Sequence, residues 1–238
     1  LIIATILNIC LDLLFVIRFH WGTKGVAWAT VISQGVSVLG SLLYLNRIHP
    51  VLRTNFARLS FHPSLFRLSL KLGLPTGGQQ ILVSLGIMFM TAIVNSFGAT
   101  VMAGFAAASR IDSLAALPAM NIGLAVSSFA GQNLGAGRPD RVRAGYAAAL
   151  RIGFSLVGAM IILFLTFRRE LIGLFSKDPE VIRTGAEYLQ IIAPFHLVFT
   201  LMFITNGVIR GAGAVMVPFL TTLLAMWIIR VPPAIVFS

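Results

Sequence analysis

The sequence predicts an all-α protein, a bundle of helices that crosses a membrane several times. Hydrophobic residues make up 58% of the 238 residues and charged residues only 11%, whereas soluble domains average about a quarter charged residues. The mean hydropathy is +0.94, and the apolar residues form stretches of roughly 20, the length of a membrane-spanning helix. Short basic connections join these stretches. We therefore expect one membrane-embedded body rather than a series of soluble domains.

The first two predicted spans form a pair. One is the opening run LIIATILNICLDLLFVIRF, and the other extends from residue 25 to about 45. Because only a short polar connection around Lys24 separates them, we expect antiparallel neighbours. The segment 46–71 that follows carries five basic residues, two prolines and no acidic residue. As the longest polar connection in the chain, it predicts the boundary between two bundles.

Five further spans are predicted after this boundary. The apolar run 101–134 is longer than one bilayer thickness at about 1.5 Å per residue, so we expect it to tilt or to bend at Pro118. Leu1 and Ser238 both lie in apolar runs, which predicts that the chain is a segment of a longer protein. The five spans are 72–97, 101–134, 146–167, 188–209 and the stretch from 215 onward.

The basic residues are divided unevenly between the two predicted sides of the membrane. Ten Lys and Arg residues lie in the segments 46–71 and 135–151 and at Arg210, whereas six lie on the opposite side, four of them among acidic residues. Cytoplasmic loops carry the excess of Lys and Arg. The side with ten basic residues is therefore expected to face the cytoplasm.

The net charge of +11 does not indicate a nucleic-acid-binding protein, because the basic residues lie between apolar segments and form no stripe with interleaved aromatics. Anionic membrane lipids are the expected partners. Cys10 is the single cysteine, so the sequence offers neither an intrachain disulfide nor a cysteine zinc pattern. The four histidines are scattered and no hydrolase or metalloprotease motif is present. We expect no enzyme active site, no metal and no cofactor.

Polar and charged residues inside the predicted spans are the candidate functional residues, since a charge at the bilayer centre costs roughly 2.5–3.5 kcal/mol. Arg110 and Asp112 lie on different faces of one helix, so each is expected to need a partner on another helix. The alternative role for such residues is hydrogen bonding between helices, worth about 0.6 kcal/mol each. His196 is interpreted as a hydrogen-bonded helix residue of this kind. The candidates are Asp112, Arg110, Asn95, Gln79, Gln80, Asn206 and the pair Asn8 and Asp12, which share one helical face.

Prolines in or at the ends of the spans predict breaks in several helices. Proline frees a backbone carbonyl and bends a helix, which a membrane tolerates where neighbouring helices or a water-filled cavity satisfy the freed group. A protein that rocks between two states can use such breaks. The predicted hinges are Pro75, Pro118 and Pro194, and GxxxG spacings, which are weak signals, begin at Gly73, Gly131 and Gly207.

Several sequence stretches carry a resemblance to a known family. The stretch LGLPTGGQQILVSLGIMFMTAIVNSFG, the stretch ASRIDSLAALPAMNIGLAVSSFAGQNLGAGRPDR and the later NGVIRGAG resemble the multidrug and toxic compound extrusion (MATE) family. GQNLGAGR at 131–138 is the most specific part. The resemblance implies twelve helices in two lobes of six. Residues 1–46 would be the last two helices of the N-lobe, 47–66 the cytoplasmic loop between the lobes, and 67–238 helices seven to eleven.

The resemblance also implies a function. The family exports small organic, often cationic, compounds in exchange for protons or sodium, and the candidate residues would line its cavity and couple ion to substrate. Membership further implies a monomer in a bacterial plasma (inner) membrane. Some members carry a glutamate eight residues after the proline of helix seven, where this chain has Val83, and some an aspartate in helix ten, where this chain is apolar around Phe199. Asp112, or an acid outside this chain, is therefore the better coupling candidate.

Two other functions remain open on the sequence. A lipid-linked glycan flippase of the same superfamily would be expected to hold several basic residues in its cavity, and this chain offers Arg110 and Arg230. A non-transporting membrane assembly protein, or a membrane enzyme, is the alternative from a different class. The enzyme would need a converging His, Cys or Ser site.

Overall fold

The computed structural model describes residues 2–48 and 61–236, and these ranges are built of helices without a strand. Most of the loop predicted at 47–66 lies outside the described residues. The chain divides into two compact units, Leu1–His62 and Pro63–Ser238. Each has its own packing and is described by itself.

The first unit is a helical hairpin. Helix α1 (Ile2–Leu13) continues as a π-helix over Leu14–Arg18, and α2 spans Gly22–Ile48. The chain reverses between them at His20 and Gly22, whose φ angles of 55° and 54° lie in the left-handed region that glycine adopts readily. The predicted antiparallel pair is therefore present.

The second unit is built around one long helix, α4. It has buried contacts with α5, α7 and α8, and most of its buried positions are alanine or glycine. Small residues allow helix backbones to approach closely, which is how helices associate in lipid. The helices of this unit are α3 (Pro63–Ser96), α4 (Ala99–Gly135), α5 (Pro139–Thr166), α6 (Arg168–Gly173), α7 (Pro179–Ile192), α8 (His196–Gly211), α9 (Met216–Leu223) and α10 (Val231–Val236), with a 3₁₀ turn at Ala193–Phe195 and a π-helix at Leu224–Arg230.

Three helices of this unit begin earlier than hydropathy predicted, and each begins at a proline. Helices α3, α5 and α7 begin at Pro63, Pro139 and Pro179 rather than at residues 72, 146 and 188. Proline is favoured in the first turn because the N–H groups of that turn have no acceptor within the helix, so the absence of an N–H on proline costs no hydrogen bond. At α7 the Asp178 carboxylate also accepts a hydrogen bond from the Glu180 N–H at 2.9 Å, an N-cap that hydropathy does not register.

The exposed surface of the helices is apolar, as the prediction of a membrane bundle requires. Among the residues that the structure describes, six stretches of helix are long and apolar enough to cross a membrane: Gly22–Ile48, Pro63–Ser96, Ala99–Gly135, Pro139–Thr166, Pro179–Gly211 and Met216–Ala234. The first predicted span is helical over Ile2–Arg18 and is shorter than these. Side chains such as Ile162 and Leu124 are 69% and 67% exposed in the middle of spans, which suits a lipid environment. The all-α membrane fold is confirmed.

Helix α3 packs against α9 and the π-helix that follows it. The Trp227 indole N–H donates to the Leu82 carbonyl at 3.3 Å, and its ring meets Phe89 edge-on at 5.5 Å between centroids. Met226 is buried against Gly86, where a Cβ would lie 2.6 Å from the Met226 side chain. A π-helix shifts the backbone hydrogen-bond register, and here it directs Met226 and Trp227 onto α3.

Candidate functional site

Glycine contacts hold α4 close to α7 and α8 on both sides of a polar pair. A Cβ on Gly104 would lie 3.0 Å from the Gly185 nitrogen, and a Cβ on Gly123 would lie 2.5 Å from the Phe203 carbonyl oxygen. Gly207 lies against the Gly123 carbonyl in the same way. Any larger side chain at these positions would separate the helices. The backbones are therefore fixed in close approach above and below the middle of α4.

Asp112 of α4 and His196 of α8 meet between these glycine contacts. The His196 Nε2 and the Asp112 Oδ1 are 2.6 Å apart, a short hydrogen bond between the two helices. The His196 side chain is 3% exposed and the Asp112 side chain 27%. The carboxylate is thus tied to an imidazole on one side and remains accessible on the other.

An aromatic ring lies near the imidazole, because the His196 and Phe199 ring centroids are 5.8 Å apart. On α7, the Tyr188 ring packs edge-on against Phe105 of α4 at 5.3 Å between centroids. Next to His196, the Thr200 hydroxyl donates to the His196 carbonyl at 2.7 Å. The pair therefore lies among largely apolar side chains, where interactions between charges are stronger than in water.

Arg110 does not share the environment of Asp112. Its guanidinium carbon lies 5.8 Å from the centroid of the Phe175 ring, a cation–π geometry, and its side chain is exposed. The two charges have separate neighbours, as their spacing predicted. Asp112 has the expected partner on another helix, in His196.

The glutamines of α3 take different positions. Gln79 donates through Nε2 to the Thr222 hydroxyl at 2.7 Å and to the Pro218 carbonyl at 3.2 Å, so it joins α3 to α9. Gln80 is exposed. Of the other candidates, Asn95 is exposed near the end of α3 and Asn206 is half-buried on α8. The structure does not bring these four amides together with Asp112.

Asn8 and Asp12 lie in the first unit, on one face of α1, as predicted. The Asn8 Nδ2 and the Asp12 Oδ1 are buried, and neither has a hydrogen-bond partner among the described residues. A buried polar group without a partner is costly. Each of these two atoms would therefore need a partner from outside the described residues.

The three predicted hinges occupy different local structures. Pro194 lies in the 3₁₀ turn between α7 and α8. The buried His196 follows this turn directly, so the helical geometry changes next to the polar pair. Pro75 and Pro118 lie inside α3 and α4, which continue through them as single helices. The break at Pro194 is thus visible, and hinge motion at all three positions stays a prediction.

Sequence reasoning interpreted His196 as a hydrogen-bonded helix residue and did not name its partner. It lies 84 residues from Asp112, and no local spacing connects the two. The sequence did contain one signal for this contact. His196 is a titratable side chain inside an apolar span, and Asp112 was expected to need a partner on another helix. Within residues 2–48 and 61–236, no three His, Cys, Asp or Glu side chains form a metal-binding group.

A family model and several relatives match this chain. The model described as MatE matches residues 75–236. The probable multidrug resistance protein YpnP of Bacillus subtilis is 36% identical over 236 residues, covering 99% of this chain and 52% of YpnP. The probable multidrug resistance protein NorM of Thermotoga maritima is 30% identical, covering 98% of this chain and 51% of NorM. The chain spans about half the length of these relatives.

Solved structures share the fold. The crystal structure of MATE in complex with MaD5 superposes with a TM-score of 0.88 at 22% identity, covering 99% of this chain and 53% of that one. An outward-facing multidrug resistance MATE family transporter of the MOP superfamily gives a TM-score of 0.89 at 22% identity, with the same coverage.

The six long apolar helices within the described residues define a polytopic integral membrane protein. The chain belongs to the MatE family. The resemblance found in the sequence is confirmed, and the bacterial relatives agree with a location in the bacterial inner membrane.

Proposed function

We propose that this chain forms part of a secondary transporter that exports small organic cations in exchange for protons or sodium by alternating access. The observation that carries the proposal is Asp112, a carboxylate in the middle of α4 that is partly exposed inside the bundle. Ionisable residues within membrane spans mark ion and substrate pathways. One carboxylate that binds either the coupling ion or the cationic substrate makes the two compete, which is the basis of exchange.

Asp12 supports the proposal as a second acidic site, in the first unit. Its buried Oδ1 has no partner among the described residues, so a coupling cation could satisfy this oxygen. The helix break at Pro194 supports the alternating-access part, because a 3₁₀ turn beside His196 gives α7 and α8 a place to change their relative angle. Membrane lipids are the expected partners, and a monomer is the expected state.

The test is ethidium efflux from cells that express the full-length transporter. Asp112→Asn keeps the size of the side chain and removes its charge. We expect this substitution to reduce the rate of energised efflux about tenfold or more. A change of this size corresponds to the loss of a coupling free energy between ion and substrate of about 1–3 kcal/mol. Glu187→Gln is the matched control, because Glu187 is 62% exposed and its carboxylate lies 3.8 Å from Arg183. Unchanged, gradient-dependent efflux by Asp112→Asn would remove Asp112 from the mechanism.

A further inference from the structure

We infer that Asp112 and His196 form a single proton-binding site, and that this pair makes the coupling ion of its lobe a proton rather than sodium. The inference rests on the proposed exchange function and names the ion that the function leaves open. Its starting observation is the 2.6 Å contact between the Asp112 Oδ1 and the His196 Nε2. No motif or local spacing in the sequence connects these two residues.

The chemistry of the pair suits a proton. Histidine is the side chain whose ordinary titration lies between pH 5 and 8, and two ionisable groups in direct contact take up and release protons as one unit. With one proton, the Asp112–His196 pair has no net charge. Without it, the carboxylate and a neutral imidazole carry one negative charge, which an organic cation can neutralise.

The same geometry is unsuited to sodium. In secondary transporters, unwound backbone carbonyls and the C-terminal ends of half-helices coordinate such ions, and hard cations prefer oxygen ligands to imidazole nitrogen. Asp112 lies within the unbroken helix α4, whose carbonyls are occupied by the helix itself. Its Oδ1 is already bound to the imidazole nitrogen of His196.

The remaining charged groups around the pair set its surroundings. No described tyrosine or arginine makes a hydrogen bond or an ion pair with Asp112 or His196, and the Tyr188 ring of α7 packs on Phe105 instead. On α4 itself, Arg110 is turned to Phe175. From α3, α5 and α6, no described residue makes a hydrogen bond or an ion pair with Asp112 or His196. The imidazole is therefore the one titratable partner in direct contact with the carboxylate in the described part of the chain.

The exposures assign different tasks to the two residues. His196 is almost completely enclosed, whereas the Asp112 side chain is 27% exposed. A cationic substrate can thus reach Asp112 and cannot reach the imidazole. Asp112 is the group that meets the substrate, and His196 is a positioning residue that stores the proton and orients the carboxylate.

The experiment is ethidium transport by the full-length transporter in proteoliposomes, with a pH gradient in sodium-free medium or with a sodium gradient at equal pH. The inference predicts that the pH gradient alone drives transport and that the sodium gradient adds nothing. Transport that requires sodium would overturn the proton assignment and leave the proposed function intact. If neither gradient moves ethidium, the proposed exchange function itself is wrong, and the inference falls with it.

Two variants test the pair. His196→Gln can still donate a hydrogen bond to Asp112 but cannot take up a proton, so we expect pH-driven transport to fall about tenfold or more. The dissociation constant for ethidium at pH 8 should stay within about threefold of the wild-type value, which is less than the tenfold change that 1.4 kcal/mol represents. Such binding would also show that the variant is folded. His62→Gln, which removes an exposed imidazole before α3, is the control. Wild-type pH-driven transport by a folded His196→Gln protein would overturn the inference.

Discussion

The Asp112 carboxylate and the His196 imidazole are separated by 84 residues in the sequence and by 2.6 Å in the structure. One lies on α4 and the other on the first turn of α8, directly after the 3₁₀ turn at Pro194. Glycine contacts flank the pair, with Gly104 and Gly185 toward one end and Gly123 and Gly207 toward the other. The close helix packing thus determines the contact on which the proposed chemistry depends.

The Asp112–His196 contact should contribute little to stability compared with its effect on transport. Hydrogen bonds between membrane helices contribute about 0.6 kcal/mol on average and at most about 1.7. A double-mutant cycle with Asp112→Ala and His196→Ala, read from unfolding in detergent, should give a coupling energy of about 1 kcal/mol. Loss of folding in both single variants would instead indicate that the pair is primarily structural.

Gly207→Ala should destabilise the α4–α8 contact. Its Cβ would point at the Gly123 carbonyl, and because backbone cannot move aside as a flexible side chain can, we expect a loss of about 2 kcal/mol, as in overpacked cores. Thermal unfolding in detergent measures this loss. In the control Gly158→Ala on α5, no described atom lies within 4 Å of the added Cβ, so stability should be unchanged or slightly raised. Equal unfolding temperatures for the two variants would contradict the packing described.

Gln79→Leu should weaken the joint between α3 and α9. The substitution removes the hydrogen bonds to Thr222 and Pro218 and leaves their oxygen atoms with fewer partners, at an expected cost of about 1 kcal/mol. Gln80→Leu is the neighbouring control, because Gln80 is exposed. Unfolding by denaturant in detergent measures both. A greater loss in Gln80→Leu would show that the two glutamines have been assigned the wrong roles.

Asp12→Asn should impair ion-coupled export by the full-length transporter. Its Oδ1 is buried without a described partner, and an amide at this position cannot supply the negative charge that an ion or a cationic substrate needs. We expect energised ethidium efflux to fall about tenfold. Cys10→Ser, two residues away on the exposed side of α1, should export like the wild type. Normal efflux by Asp12→Asn would exclude this acid from the exchange.

Much of the fold was predictable from the sequence, because apolar length is a strong signal in a membrane. The helix starts at Pro63 and Pro179 were not predicted. The residues between these starts and the predicted ones include charged side chains such as Arg67 and Arg183, so the prolines mark these starts and hydropathy does not. Asp112 was predicted as a functional candidate because a charge inside an apolar span is costly.

The partner of Asp112 could not be predicted in the same way. Which side chain reaches the carboxylate depends on how α8 lies on α4, and this is fixed by glycine contacts such as Gly123 with Gly207. The GxxxG spacing from Gly207 to Gly211 was present in the sequence as a weak signal. Both glycines do lie against the backbone of α4, but spacing alone does not say which helix is opposite.

The most direct test of competition between proton and substrate at Asp112 is proton release on substrate binding. Ethidium is added to the purified full-length transporter in weakly buffered detergent solution, and a pH-sensitive dye reports the protons released. By linkage, exchange at one site predicts about one proton released per ethidium bound to the wild-type protein, and none from Asp112→Asn. Ethidium binding without proton release by the wild type, or equal release by both proteins, would contradict the account.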